Sequence, residues 1–263
     1  MRIDKLSPLV LTVLSASVLS LAGCNSDSSS GSFDGAVTGI GGSTARMTIS
    51  GDYLYAISGS SVQLFDITAP EAPAPYTQVQ VQWDIQTLFP YENYLLVGAA
   101  SGLHILDNTD PASPQYVGDF THARTVDPVV AKDGYAYVTL KRDTSLQTGG
   151  DIDNQMNVVD ISDVTQPQLV ETVSMQAPAG LSVEGSELYV CDGVAGLKTF
   201  DLSNPAKPEI ANVLQGVDCL DVIAQDQRLY VIDDLGLKQY STVSGVPVLL
   251  SSIDTKPVVY VLD

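Results

Sequence analysis

Between residues 45 and 253 the apolar residues come in short runs separated by Gly, Asp, Asn, Ser and Pro, a spacing that predicts strands joined by tight turns. No window there sustains a helical apolar period with caps at both ends. Five segments superimpose: Val62-Gln63-Leu64-Phe65-Asp66, Leu103-His104-Ile105-Leu106-Asp107, Met156-Asn157-Val158-Val159-Asp160, Leu197-Lys198-Thr199-Phe200-Asp201 and Leu237-Lys238-Gln239-Tyr240-Ser241. Most copies read apolar-x-apolar-apolar-Asp, and their last positions are 41, 53, 41 and 40 residues apart, so one copy carries about 12 extra residues.

The surrounding punctuation repeats as well. Pro70 and Pro73, Pro111 and Pro114, and Pro205 and Pro208 stand four and seven residues past their Asp; the third copy keeps only Pro167, and the fifth shifts to Pro247. Upstream of each copy are Tyr53-Leu54-Tyr55, Tyr94-Leu95-Leu96, Tyr135-Ala136-Tyr137, Leu188-Tyr189-Val190 and Leu229-Tyr230-Val231. Turn residues such as Gly51-Asp52, Glu92-Asn93 and Asp133-Gly134 precede them, and before these come Met47-Thr48-Ile49, Thr87-Leu88-Phe89, Val129-Val130-Ala131, Leu181-Ser182-Val183 and Val222-Ile223-Ala224. Each period therefore predicts four strands, A to D, with proline between C and D. Four strands in 40 to 45 residues is the size of one propeller blade, and nearly continuous apolar runs suit strands covered on both faces. The fold class expected is all-β, a propeller of about five four-stranded blades over residues 36–263. A β-sandwich is the rival, but needs no such self-similarity.

These repeated segments, each running from Asp into a Ser/Thr and Pro turn, resemble the LVIVD repeat family from about residue 45 to 253. The fifth copy departs from the pattern at Ser241 and lacks the paired prolines. The resemblance implies a β-propeller on secreted or surface proteins and carries over no catalytic residue. Two leftovers flank the five copies: residues 36–40 read as an outer strand, and Val258-Val259-Tyr260-Val261-Leu262 resembles strand A of a sixth copy. Five full blades are expected, the alternative being a reduced sixth blade built from the two ends.

The N-terminus has a different pattern. Arg2 and Lys5 precede an uncharged stretch at residues 6–22 that ends in Leu21-Ala22-Gly23-Cys24. Seventeen residues are short for a membrane span, and the small residues at its end read as a secretory signal. That ending resembles the lipobox of bacterial lipoproteins, which implies cleavage before Cys24 and acylation of it; the plainer reading is an ordinary signal with a coincidental Cys. Several acyl chains on one residue hold a soluble domain at a bilayer. The domains expected are a signal over 1–23, a tether over 24–35 carrying the lipidated Cys24, and the propeller. Residues 25–32 offer nothing apolar to bury and suit a flexible tether. Asn25 follows the Cys where an Asp commonly implies inner-membrane retention, so the resemblance favours the outer membrane of the cell envelope.

Charge excludes one class of partner. There are 31 acidic and 12 basic residues, a net charge of −19, so nucleic acid and anionic lipid surfaces are repelled. The membrane is then a partner only through the N-terminal lipid. Cys191 and Cys219 end strand B of the fourth copy and open strand A of the fifth, so both point to one face; a disulfide and a pair of small buried thiols are both open readings.

Candidate chemistry is sparse. The repeated Asp66, Asp107, Asp160 and Asp201 sit at equivalent places on separate blades and suit backbone N–H acceptance in turns rather than a shared site. The extra residues of the third copy, about 141–155, fall between strands B and C and include Arg142, Asp151 and Asp153. Asp151 and Asp153 offer oxygen ligands for calcium, although Met156 stands where an EF-hand loop needs Gly; a solvated hairpin is the plainer reading, and no cofactor is otherwise expected. D-to-A connections on the same face add Trp83, His122 and Arg124, a candidate polar-ligand pocket with an aromatic surface. With two His in the chain a three-His zinc site is impossible, and the chain contains neither a phosphate-binding P-loop nor a GxSxG nucleophile motif. The expected function is a non-enzymatic binding or scaffolding propeller with a protein or glycan partner. The alternative is an exported polysaccharide-active enzyme using paired carboxylates at the channel mouth.

Overall fold

The computed structural model describes residues 42–81, 84–121, 128–142 and 153–255. All regular structure in them is β, twenty strands in five four-stranded antiparallel sheets arranged as a five-bladed propeller. Blade I is β1 (Met47–Ser50), β2 (Tyr53–Ser58), β3 (Ser61–Asp66) and β4 (Ala74–Gln80). Blade II is β5 (Ile85–Tyr91), β6 (Tyr94–Ala99), β7 (Gly102–Asp107) and β8 (Gln115–Thr121). Blade III is β9 (Val129–Lys132), β10 (Tyr135–Leu140), β11 (Gln155–Asp160) and β12 (Gln168–Ser174). Blade IV is β13 (Leu181–Glu184), β14 (Glu187–Cys191), β15 (Leu197–Asp201) and β16 (Glu209–Leu214). Blade V is β17 (Cys219–Gln225), β18 (Arg228–Asp233), β19 (Gly236–Ser241) and β20 (Val248–Asp254). Each blade is a plain meander of strands A, B, C and D, and every blade is made of contiguous chain.

Tight turns join A to B. In blades III and V both central turn residues are left-handed, Asp133 and Gly134 (φ 49° and 81°) and Asp226 and Gln227 (φ 52° and 57°), which matches the twist of paired strands. Between C and D, Asp66 accepts hydrogen bonds from the N–H and hydroxyl of Thr68, Asp160 from those of Ser162, and Asp201 from those of Ser203. Asp107 accepts from the Thr109 N–H. These four carboxylates close turns, one in each of blades I to IV. Every C–D pairing also carries one register shift at the equivalent place, from Leu64/Phe65 in blade I to Gln239/Tyr240 in blade V, a bulge that adds twist to each outer strand.

Side chains alternate between the two faces of each blade, and adjoining blades bury them against each other. Tyr55, Val62 and Leu64 of blade I pack on Leu88, Leu95 and Leu106 of blade II. Leu96 and Ile105 meet Val129, Ala136 and Val138, then Tyr137 and Val158 meet Leu181, Leu188 and Phe200, and Tyr189 meets Val222, Leu229 and Tyr240. Interblade hydrogen bonds add direction: the Tyr55 hydroxyl donates to Asn108 Oδ1 and the Pro111 carbonyl, and the Tyr137 hydroxyl to the Pro205 carbonyl. Pro111 and Pro205, in the C–D turns of blades II and IV, thus mark where those blades receive a tyrosine of the preceding blade.

Candidate functional site

The start of A, the end of B, the start of C and the end of D lie on one edge of every blade, as the pairing of Cys219 with Asp233 and of Gly236 with Asp254 demonstrates. This face carries the B–C loops and the D–A connections. On blades III to V its loops are tied into one network. Asn154, at the C-terminal base of the long third-copy loop, accepts the Arg142 N–H at 2.7 Å and donates to the Gln176 carbonyl. Asp192 Oδ1 accepts from the N–H groups of Gln176 (2.8 Å) and Ala177 (2.7 Å), latching the connection of blade III onto the B–C loop of blade IV. Its Oδ2 is 2.6 Å from Lys198 Nζ, so a fully buried carboxylate has an opposite charge beside it.

Blade V repeats the device. Asp233 accepts from the N–H groups of Leu235 and Gly236 and pairs with Lys238. Burial pushes the Asp233 carboxyl up, but these donors outweigh it and hold it below its ordinary value; the bond to Asp233 raises the Lys238 ammonium, partly offset by burial. Between the two pairs a disulfide joins Cys191 to Cys219 (Cα–Cα 4.9 Å), and the Cys219 N–H donates to the Gly193 carbonyl. The structure therefore resolves the two readings of these cysteines in favour of the bridge.

The frame presents apolar side chains. Val194, in the B–C loop of blade IV, is 76% exposed; Leu220 and Leu235 of blade V are exposed on the same edge. Leu220 falls in the register shift between Cys219 and Asp221, which takes it out of the ladder. Toward the channel, Thr44 donates to Asp221 Oδ2 (2.5 Å) and the Leu181 N–H donates to Ser43 Oγ (2.7 Å). Burial raises the Asp221 carboxyl, with the Thr44 and Val222 donors opposing it. Gly180 is required there: a Cβ on it would stand 1.9 Å from Asp221 Oδ1.

At the opposite end of the channel a cavity of about 270 Å³ is lined by Phe89, Tyr91, Lys132, Asp133 and Val183, at the A–B ends of blades II to IV. The Gly134 N–H donates to the Tyr91 hydroxyl, and Lys132 pairs with Asp133 at 3.3 Å.

Of the residues singled out from sequence, Arg142 and Asp153 lie exposed at the base of the long loop. Cys24, Trp83, His122, Arg124 and Asp151 lie outside the described residues, as do the leader, the tether, residues 36–40 and residues 258–262. Among the described residues no group of three or more His, Cys, Asp or Glu is placed to hold a metal ion. Sequence reasoning missed the Asp192–Lys198 and Asp233–Lys238 pairs. Their signal was there: both blades read Gly-Leu-Lys at the start of strand C, at 196–198 and 236–238, with an Asp closing strand B.

The LVIVD repeat profile matches residues 85–122, 150–175 and 179–213, which cover blade II, strands β11 and β12 of blade III, and blade IV. No curated protein matches the chain in sequence. Solved structures share the fold at low identity. A functionally unknown protein from Desulfotomaculum acetoxidans is 11% identical, with TM-score 0.63 over 80% of this chain and 69% of that one. A protein from Lactobacillus plantarum is 14% identical, with TM-score 0.61 over 76% and 67%. The computationally designed protein Ika8 is 12% identical, with TM-score 0.58 over 79% of this chain but only 60% of its own length. Repeat profile, sheet order and structural likeness converge: the chain is a five-bladed β-propeller that carries matches to the LVIVD repeat between residues 85 and 213.

Proposed function

We propose that this protein is a cell-envelope lipoprotein whose propeller binds a partner without chemistry of its own, through the B–C and D–A face of blades IV and V. The observation that carries the reading is the exposed apolar set Val194, Leu220 and Leu235 on a frame fixed by a disulfide and two buried ion pairs. A preorganised apolar patch rimmed by charge suits a protein surface, because little side-chain ordering remains to be done on binding. The buried carboxylates of this face hold loops: Asp192 and Asp233 are each committed to two backbone N–H groups and a lysine. Such groups suit a frame better than the paired acid and base of a glycosidase, which must exchange protons with substrate.

The leader and Leu21-Ala22-Gly23-Cys24 support a lipid anchor at Cys24, and Asn25 supports the outer membrane as its address. The polar tether at 25–32 would let the propeller work away from the bilayer. Two variants test the binding face in a pull-down from envelope extract. Replacing Val194 and Leu235 by Asp should remove the partner while leaving the melting temperature within a few degrees. Deleting the loop at 143–153 should weaken capture only if that loop also contributes. Full retention of every partner by the Asp variant would reject this face.

A further inference from the structure

The apolar patch of blades IV and V has a border of one sign. Asp218 lies beside the loop that holds Val194, since a Cβ on Gly193 would stand 3.7 Å from Asp218 Oδ1, and two residues further along the chain comes Leu220. Asp234 directly precedes Leu235, and Asp254 is in register with Gly236, the residue after Leu235. The Thr255 N–H donates to the Leu235 carbonyl at 3.1 Å, which holds the end of β20 against the same loop. Asp234 and Asp254 are exposed, and Asp218 is half-buried.

Cations are distributed the other way. Among the described residues of blades IV and V the basic side chains are Lys198, Lys207, Arg228 and Lys238. Lys198 and Lys238 belong to this face, and each is held against a buried carboxylate of the frame, Asp192 or Asp233. Lys207 stands in the C–D turn of blade IV and Arg228 opens β18 at the A–B turn of blade V, both at the opposite face. A partner carboxylate brought to the patch would meet like charge there, with both lysines already committed. Opposed like charges suppress a partner, whereas opposite charges speed encounter and fix register.

We infer that the partner meets this patch with an apolar ridge bordered by lysine or arginine, as a cationic amphipathic protein segment does; this rests on the binding face proposed above and adds the sign of the charge to it. Val194, Leu220 and Leu235 supply the buried contact, and Asp218, Asp234 and Asp254 select what borders it. The net charge of −19 acts in the same direction at longer range. Rim carboxylates attract through solvent, so salt weakens their share of the binding.

Two synthetic helical peptides with the same leucine face, one bordered by lysines and the other by glutamates, test this by calorimetric titration of the native chain. The lysine peptide should bind about 10-fold more tightly at low ionic strength, the sum of a few exposed charge pairs, and that margin should close in ~0.5 M salt. Replacing Asp218 and Asp234 together by Asn should shrink the margin, and replacing Val194 and Leu235 together by Ser should weaken both peptides. Equal affinity for the two peptides, lost in the Ser variant, would overturn the inference and leave the binding face standing. A lysine preference untouched by the Asn variant would overturn it as well, because the charge responsible would lie elsewhere. Binding of neither peptide also counts against it, and the envelope pull-down then decides the face by itself. The peptide comparison needs only the native chain, so it decides even where a variant fails to fold.

Discussion

Tyr55, Tyr137 and Tyr189 each bury a ring between two blades and carry a hydroxyl that must find a partner there. Burial pushes the Tyr55 phenol up to about 12, with the Asn108 bond opposing it. Replacing Tyr55 by Phe leaves the packing and strands the Asn108 and Pro111 acceptors, so the expected cost is about 1 kcal/mol in denaturant unfolding; the same change at Tyr137 frees only the Pro205 carbonyl and should cost less. The turn aspartates act through charge. Thr68 holds the Asp66 carboxyl below its ordinary 3.8, and Thr109, Ser162 and Ser203 do the same for Asp107, Asp160 and Asp201. A depressed carboxylate stabilises the fold above its unfolded pKa, and that contribution is lost as pH falls through the folded value. Asp221 has the opposite sign: burial raises its carboxyl, so it opposes folding above 3.8 and that penalty disappears as pH falls below the unfolded value. Thermal melts should therefore fall steeply below pH 3.8 in the native chain, while Asp221→Asn should raise the melting temperature at pH 7 and match the native chain at pH 3.5. An Asn variant that melts lower at pH 7 would contradict this assignment.

At the scale of elements, blades IV and V are joined by a covalent bond as well as by a core. The Cys191–Cys219 bridge spans 28 residues, and releasing a loop of that size in the unfolded ensemble costs about 3.6 kcal/mol. Denaturant unfolding of the Cys191→Ser, Cys219→Ser double variant should show that loss, and a reductant should produce it in the native chain but not in the variant. Gly180→Ala forces a methyl into Asp221 and should cost about 1–3 kcal/mol by displacing β13 from β17. This level of structure was largely legible beforehand. The 41-residue step predicted every strand A, B and C, because blade geometry fixes how much chain one meander needs. The commitment of Asp66 and its equivalents to turns was legible for the same reason: equivalent residues on different blades cannot converge. The ion pairs Asp192–Lys198 and Asp233–Lys238 were overlooked although in each the Asp and the Lys lie five or six residues apart, since that spacing does not by itself say that the two charges are buried together. Val194 and Leu220 were hidden differently: an apolar residue beside a strand reads as core until a bulge or loop turns it outward.

As a whole, the chain carries a net charge of −19, a field that repels phosphate backbones and anionic headgroups. Under the proposed lipid anchor, membrane residence would rest on Cys24. Cys24→Ser should move the protein from the membrane fraction to the soluble fraction and remove the acyl mass from its N-terminal peptide; a variant that stays with the membrane would show that another surface holds it. The central claim is that the protein works through its B–C and D–A face. A photoreactive amino acid placed at Val194 on that face, and separately at Val243, 73% exposed in the C–D turn of blade V on the opposite face, reports which one meets a partner in intact cells. The account predicts a discrete envelope adduct from position 194 and none from 243; an adduct from 243 alone, or from neither, would contradict it.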